Sequence, residues 1–168
     1  MKKIELNFKV QNMRITTMAK LTSKKTGKVR LYPAIIDTGA HQTTISKELF
    51  ASLGQKEQDA YDVVVRGIKG ATRGRSTIID NFVLGEVDLG KTRITVMGVE
   101  REFENAIILG MNILAWFNIS VSHYEKKITL VERQFKTFDT ESRFYRKDIR
   151  SLSVLSSSED EISSTTYP

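Results

Sequence analysis

The chain has 168 residues, a formal charge of +6, no cysteine and two histidines. That length suits one domain of ordinary size with room for a tail and can bury a real core. The missing cysteines remove disulfides, thiol catalysis and cysteine-based metal sites, and His41 and His123 stand too far apart in sequence to read as a ligand cluster, so neither a metal nor another cofactor is expected.

The start, Met1-Lys2-Lys3-Ile4-Glu5-Leu6-Asn7, has basic residues but no apolar core of signal-peptide length, and no later segment approaches a membrane-spanning run. A soluble, cytoplasmic protein with no membrane partner is expected. The modest positive charge lies before residue 131, and most such charge serves solubility.

Residues 15–21 and 29–36 are β-branched, apolar-rich runs separated by the polar, glycine-containing stretch 22–28, and they read as a hairpin. Pro33 in the second run predicts an edge or an irregularity there. That strand delivers Asp37-Thr38-Gly39-Ala40, entered through Ala34-Ile35-Ile36 and left through Thr43-Thr44-Ile45-Ser46. The pattern puts a carboxylate where a buried strand breaks into a turn, with a hydroxyl beside it and a glycine that admits close backbone approach. On composition alone a D-T-G triplet arises by chance in roughly one chain in thirty of this length. Its plain reading is a strand-ending turn in which Asp37 bonds nearby amides.

Ser46 reads as the cap of a short helix over 47–53, which Gly54 ends and which buries Leu49, Phe50 and Leu53. Strand-like residues 61–66 and 77–79 flank a basic, glycine-rich loop, and 82–87 and 92–99 read as a hairpin turning at Asp88-Leu89-Gly90. After Gly110, Ile113, Leu114 and Phe117 share a helical face, and 119–121 and 127–130 alternate like strands about Glu125-Lys126. Many short strands with turn signals predict a mostly β fold. The domain is expected to span 1–130. Residues 131–168 are a polar tail whose composition does not order itself, though Phe135, Phe138, Phe144 and Tyr145 interrupt its polarity.

A second segment raises the standing of the first. Asn105-Ala106-Ile107-Ile108-Leu109-Gly110-Met111-Asn112-Ile113-Leu114 is an apolar run ending in glycine and followed by helix-like spacing. With the Asp37 segment and the intervening glycine-rich hairpin, it resembles the retropepsin-like aspartic proteases of retroviruses, LTR retrotransposons and their cellular and bacterial relatives, over about residues 14–130. Met111 stands where the retroviral enzymes usually carry arginine, a form shared with retrotransposon and bacterial members. The resemblance implies a closed, mostly β barrel with one or two short helices, working as a homodimeric endopeptidase on peptide or protein substrates. A protease with two fused lobes would need a second D-T-G, which this chain lacks.

Within that resemblance Asp37 is the catalytic residue, Thr38 bonds its twin across the twofold axis, and Gly39 leaves room for substrate or water. Ala40 continues the loop and Gly110 packs beneath it. The hairpin 66–75 takes the place of the flap, where Gly67 and Gly70 would bond an extended peptide and Ile68 would cover it. The chemistry follows from electrostatics. A lone carboxyl with an ordinary value near 3.9 is a poor base at neutral pH, whereas two held about 3 Å apart share one proton. With one suitable aspartate per chain, the pair must be Asp37 from two subunits.

Arg66, Lys69, Arg73 and Arg75 exceed what a flap needs, which raises selection for acidic substrates. They also support a rival class: Gly67-Ile68-Lys69-Gly70 has the G-x-x-G form by which KH domains clamp a nucleotide backbone. KH loops join helices, and the strand-like flanks here count against nucleic-acid binding. A third reading keeps the fold as a catalytically silent dimeric interaction module. Trp116 reads as core or dimer surface, His41 as a polar loop residue and His123 as a surface strand residue.

Overall fold

Short β-branched runs separated by polar and glycine turns make this chain mostly β, and a computed structural model describes residues 3–67 and 70–133. In chain order the elements are β1 (Lys3–Asn7), β2 (Lys9–Gln11), β3 (Arg14–Thr22), β4 (Val29–Ile36), β5 (Thr44–Ser46), α1 (Lys47–Leu53), β6 (Tyr61–Gly67) and β7 (Gly70–Leu84). They continue with β8 (Val87–Met97), a 3-10 turn (Arg101–Phe103), β9 (Ile107–Leu109), α2 (Met111–Leu114), β10 (Phe117–Ser122) and β11 (Lys127–Glu132). Among the described residues, no helix is long and apolar enough to cross a membrane.

The main sheet closes on itself. β3 pairs with β4, β4 with β9, β9 with β5, β5 with β8 and β8 with β7, and β7 returns to β3 through Ala19↔Leu84 and Lys20↔Val83. β7 can serve three partners, β6, β8 and β3, because it is long and bends. Its register against β8 slips between Ile79 and Phe82, and Asn81 there takes φ 58°, the left-handed conformation that asparagine tolerates best among residues with a side chain. Inside lie Ala34, Ile45, Ile79, Ile94, Ile107 and Leu109, joined by Leu49 and Leu53 of α1.

A three-stranded sheet in the order β1-β11-β10 adds Ile4 and Leu6, opposite Leu130 and Ile128, to the same core. Each fully buried aliphatic side chain of this kind contributes about 2 kcal/mol. β1 and β2 had no counterpart in the sequence reading. Pro33 lies one residue before the β9 ladder begins at Ala34, so its missing N–H is lost where β4 is paired on one side.

Four expectations need correction. The turn between β7 and β8 falls at Gly85-Glu86, with φ 61° at Gly85, whereas Asp88-Leu89-Gly90 lies inside β8. There the Asp88 carboxylate accepts from Gly90 N at 2.7 Å and Leu89 is the extra residue of a bulge. A local D-x-G signal has the same chemistry in both settings. The stretch 70–75 is ladder, not loop, because Gly70 already pairs with Gly67. α2 stops at Leu114, and Phe117 opens β10 instead of extending the helix. His123 sits in the β10–β11 turn with its ring edge-on to Phe8. The tail expected over 131–168 falls outside the described residues from 134 onward, while Val131 and Glu132 complete β11.

Candidate active site

Asp37 stands just beyond the last residue of β4, held from both directions. Its amide donates to Leu109 O at 3.0 Å, which continues the parallel β4–β9 ladder by one step. Its own carboxylate then shapes the turn: Gly39 N donates to Asp37 Oδ1 at 2.9 Å, and Ala40 N to Asp37 O at 3.3 Å. A Cβ on Gly39 would lie 3.2 Å from that oxygen, so a side chain there crowds the carboxylate. Asp37, Thr38 and Gly39 are exposed and Ala40 half-buried, and among the described residues Thr38 makes no side-chain hydrogen bond.

The loop is fastened to the second segment by backbone and by one side chain. Met111 N donates to Ala40 O at 2.8 Å and Asn112 N to His41 O at 3.0 Å. Asn112 Oδ1 accepts from both Thr43 N (2.7 Å) and Thr43 Oγ1 (2.9 Å), while Thr43 Oγ1 accepts from Gly110 N (3.1 Å). Asn112 Nδ2 donates to Arg93 O at 2.8 Å, carrying the brace on to β8. Gly110 is required by space, not by conformation. Its φ is −99°, but a Cβ would fall 2.7 Å from Gln42 O, 2.8 Å from Thr43 N and closer still to the Gln42 carbonyl carbon. Gly110 therefore lies directly against the Gln42–Thr43 backbone.

The bracing role of Asn112 escaped the sequence reading, although the residue lay in the quoted segment. A Gly-x-Asn following an apolar run was the available signal. Also missed was the sheet face that Asp37 shares, because it depends on register. Ile35 faces Ile108, Ile108 faces Thr44, Thr44 faces Thr95, Thr95 faces Ser76 and Ser76 faces Tyr61, so these residues share one face of the sheet. Asp37, two residues past Ile35, opens onto it. The opposite face carries Ala34, Ile45, Ile107, Leu109 and Val96, the barrel interior.

The hairpin β6–β7 extends the same two faces. Val63, Val65, Thr72 and Gly74 continue the Asp37 face, and Asp62, Val64, Arg66, Ala71, Arg73 and Arg75 lie on the other. The described arginines of the hairpin, Arg66, Arg73 and Arg75, thus lie on the face opposite the one that Asp37 shares. Gly67 and Gly70 pair at the tip, where a Cβ on either would meet nothing within 4 Å; Gly70 has φ 113°. Ile68 and Lys69 lie outside the described residues. Gly74 does not confer mobility, since a Cβ would approach Val96 O to 3.0 Å and Met97 Cβ to 3.1 Å.

The family model described as "gag-polyprotein putative aspartyl protease" matches residues 26–115, which include Asp37, the β6–β7 hairpin and the Gly110-Asn112 brace. No curated protein matches the chain. Among solved structures, the chain is similar to a retropepsin-like aspartic protease from Rickettsia conorii, at 15% identity and a TM-score of 0.48, over 77% of this chain and 89% of that one. It is also similar to the EIAV protease solved with the inhibitor HBY-793, at 22% identity and a TM-score of 0.47, over 62% of this chain and 88% of that one. The family match extends over more than half of the sequence and spans both segments that position Asp37, and on that ground the chain belongs to the gag-polyprotein aspartyl protease family.

Proposed function

We propose that this protein is an aspartic endopeptidase that hydrolyses peptide bonds with Asp37 of two subunits and an activated water. The observation that carries the reading is the fixed Asp37 loop: an exposed carboxylate at a strand end, locked by Gly110 and Asn112 and opening onto the same face as Ile35 and Ile108. A turn serving structure alone has no need of that brace.

Two features support a dimer. The Thr38 hydroxyl has no partner among the described residues, and its twin across a twofold axis would supply one. The outer edge of β10 is unpaired among the described residues, and Trp116, Ile119 and Val121 are 40%, 36% and 37% exposed on that side of the molecule. Pairing of this edge with its copy would bury them.

In such a pair the ionised carboxylate takes a proton from water as its oxygen attacks the peptide carbonyl carbon, and the protonated partner gives its proton to the carbonyl oxygen. The tetrahedral diol then collapses. A diol proton returns to a carboxylate, the departing nitrogen takes a proton from the dyad, and the C–N bond breaks, leaving the pair with one proton as before. The dyad titrates as a unit. The β6–β7 hairpin would close over the peptide, its backbone bonding the chain as an added strand through Gly67 and Gly70, with Ile68 at the tip.

The test is cleavage of an unfolded protein substrate by purified protein beside Asp37→Asn. The amide is isosteric but cannot hold the shared proton, so activity is expected to fall at least a thousandfold, to background, with the fold unchanged by circular dichroism. Equal cleavage by both proteins would remove Asp37 from the chemistry, and no cleavage by either would leave the silent dimeric module as the reading.

A further inference from the structure

On the side of the hairpin turned away from Asp37, between α1 and the flap base, lies a groove of about 330 Å³ lined by Lys47 and Phe50 of α1, Arg73 and Arg75 of β7 and Val96 of β8. Strand alternation separates it from the cleft, since Arg73 and Arg75 lie on the face opposite Val63 and Val65. It is also built from different parts of the chain. α1 is anchored by Leu49 and Leu53, both 1% exposed, whereas β7 is an arm of the hairpin.

The charges in the groove are unevenly satisfied. Arg75 bonds Glu57 at 2.9 Å and Asp62 at 3.1 Å, so one guanidinium engages both carboxylates that line the groove, and the five charged side chains together leave a net positive charge there. Lys47 and Arg73 have no ion-pair partner among the described residues. Two unpaired cations therefore face one concavity, over a floor of Phe50 and Val96. A carboxylate between them would gain charge-assisted hydrogen bonds from an ammonium and a guanidinium, and an apolar neighbour would cover the floor.

We propose that this groove is a docking site for an acidic peptide segment, one that carries an apolar residue beside its carboxylates. An inorganic anion leaves Phe50 and Val96 uncovered, and a nucleic-acid backbone offers nothing to fill them. The site is independent of the proteolytic chemistry. A carboxylate that bridges Lys47 and Arg73 would in addition tie the hairpin arm to the barrel.

The test is fluorescence anisotropy on the full chain carrying Asp37→Asn, which cannot cut the probe if the protease reading is right and binds it all the same if that reading is wrong. The probe is fluorescein-labelled Glu-Glu-Leu-Glu-Glu, with Gln-Gln-Leu-Gln-Gln as its neutral counterpart. Saturable binding of the acidic peptide alone is expected, weakening as salt is raised. Lys47→Gln with Arg73→Gln should raise Kd roughly a hundredfold, about tenfold for each charge-assisted contact. Arg30→Gln, an exposed change on β4 outside the groove, should leave Kd within about twofold, and circular dichroism checks that each variant is folded. No saturable binding below millimolar peptide, equal binding of the neutral peptide, or an undiminished Kd in the folded double variant would overturn the proposal. Tighter binding of a single-stranded oligonucleotide that the same two changes abolish would overturn it in favour of phosphate recognition.

Discussion

At the scale of single residues, the site rests on what two positions exclude and what one supplies. Gly110 excludes a side chain because the Gln42–Thr43 backbone occupies its space. Gly110→Ala must push main chain aside, with no flexible side chain to yield, so a loss of about 3 kcal/mol is expected in urea unfolding, together with loss of any Asp37-dependent activity. Asn112 supplies the acceptor shared by the amide and hydroxyl of Thr43. Asn112→Ala leaves both donors without it and should cost about 2 kcal/mol, whereas Asn112→Asp retains the acceptor and loses the bond to Arg93 O. A smaller loss for the aspartate variant is therefore expected, and the reverse order would show that the bond to β8 is the stronger brace. Gly39, the second excluding position, keeps Asp37 Oδ1 uncrowded.

At the scale of elements, the bend in β7 links barrel closure to a titrating group. Next to Asn81, Asp80 receives hydrogen bonds from Lys24 Nζ at 3.0 Å and Gln58 Nε2 at 3.2 Å, and these hold its carboxyl below the usual aspartate range. A folded value below the unfolded one stabilises the native state above the unfolded value, near 3.9, and that contribution is lost as pH falls through the folded value. Asp80→Asn should accordingly be less stable than the parent at pH 7, with the gap narrowing as pH falls below the unfolded value and through the lowered folded one. A gap that stays constant across that range would separate the bend from the ion pair. The left-handed Asn81 makes a second claim on the same bend: Asn81→Val should cost about 2 kcal/mol, because a β-branched residue fits poorly there, and Asn81→Gly should cost far less.

The same scale shows what could be read ahead of the structure. α1 was legible to the residue, since its cap, its stripe and its stop are local: Ser46 Oγ accepts from Leu49 N at 2.8 Å and Gly54 has φ 62°. The β3–β4 hairpin was legible for the same reason. β1 was not, because five alternating residues carry little signal and its partner β11 lies at the other end of the described chain. The β7–β8 turn was misplaced because Asp88-Leu89-Gly90 makes within a bulge the same side-chain-to-amide bond it would make in a turn. Asp37 and Gly110 were legible as motifs, but the face they open on was not. Whether Ile35 or Ile36 shares the face of Asp37 depends on long-range register, which no local pattern contains.

At the scale of the whole molecule, the core sets how much chain the fold requires. Ile128 and Leu130 of β11 are fully buried and pair with both β1 and β10, and Arg133 still donates to Trp116 O at 2.9 Å. We therefore propose that the folding unit ends with β11, so a chain stopped after Arg133 should unfold in urea with the parent's midpoint, while one stopped at Lys126 should not fold. Association adds a stricter condition. If catalysis needs Asp37 twice, active sites form only in dimers, and a protomer bearing Asp37→Asn spoils every site that it enters. Mixed in ninefold excess with parent protein and allowed to exchange, it should leave about one tenth of the parent activity, since a parent chain then meets another parent in roughly one encounter in ten. Specific activity should also fall on dilution through the dimer dissociation constant measured by sedimentation. Undiminished activity in the mixture, with exchange verified by a tagged subunit, would require a second carboxylate from within one chain.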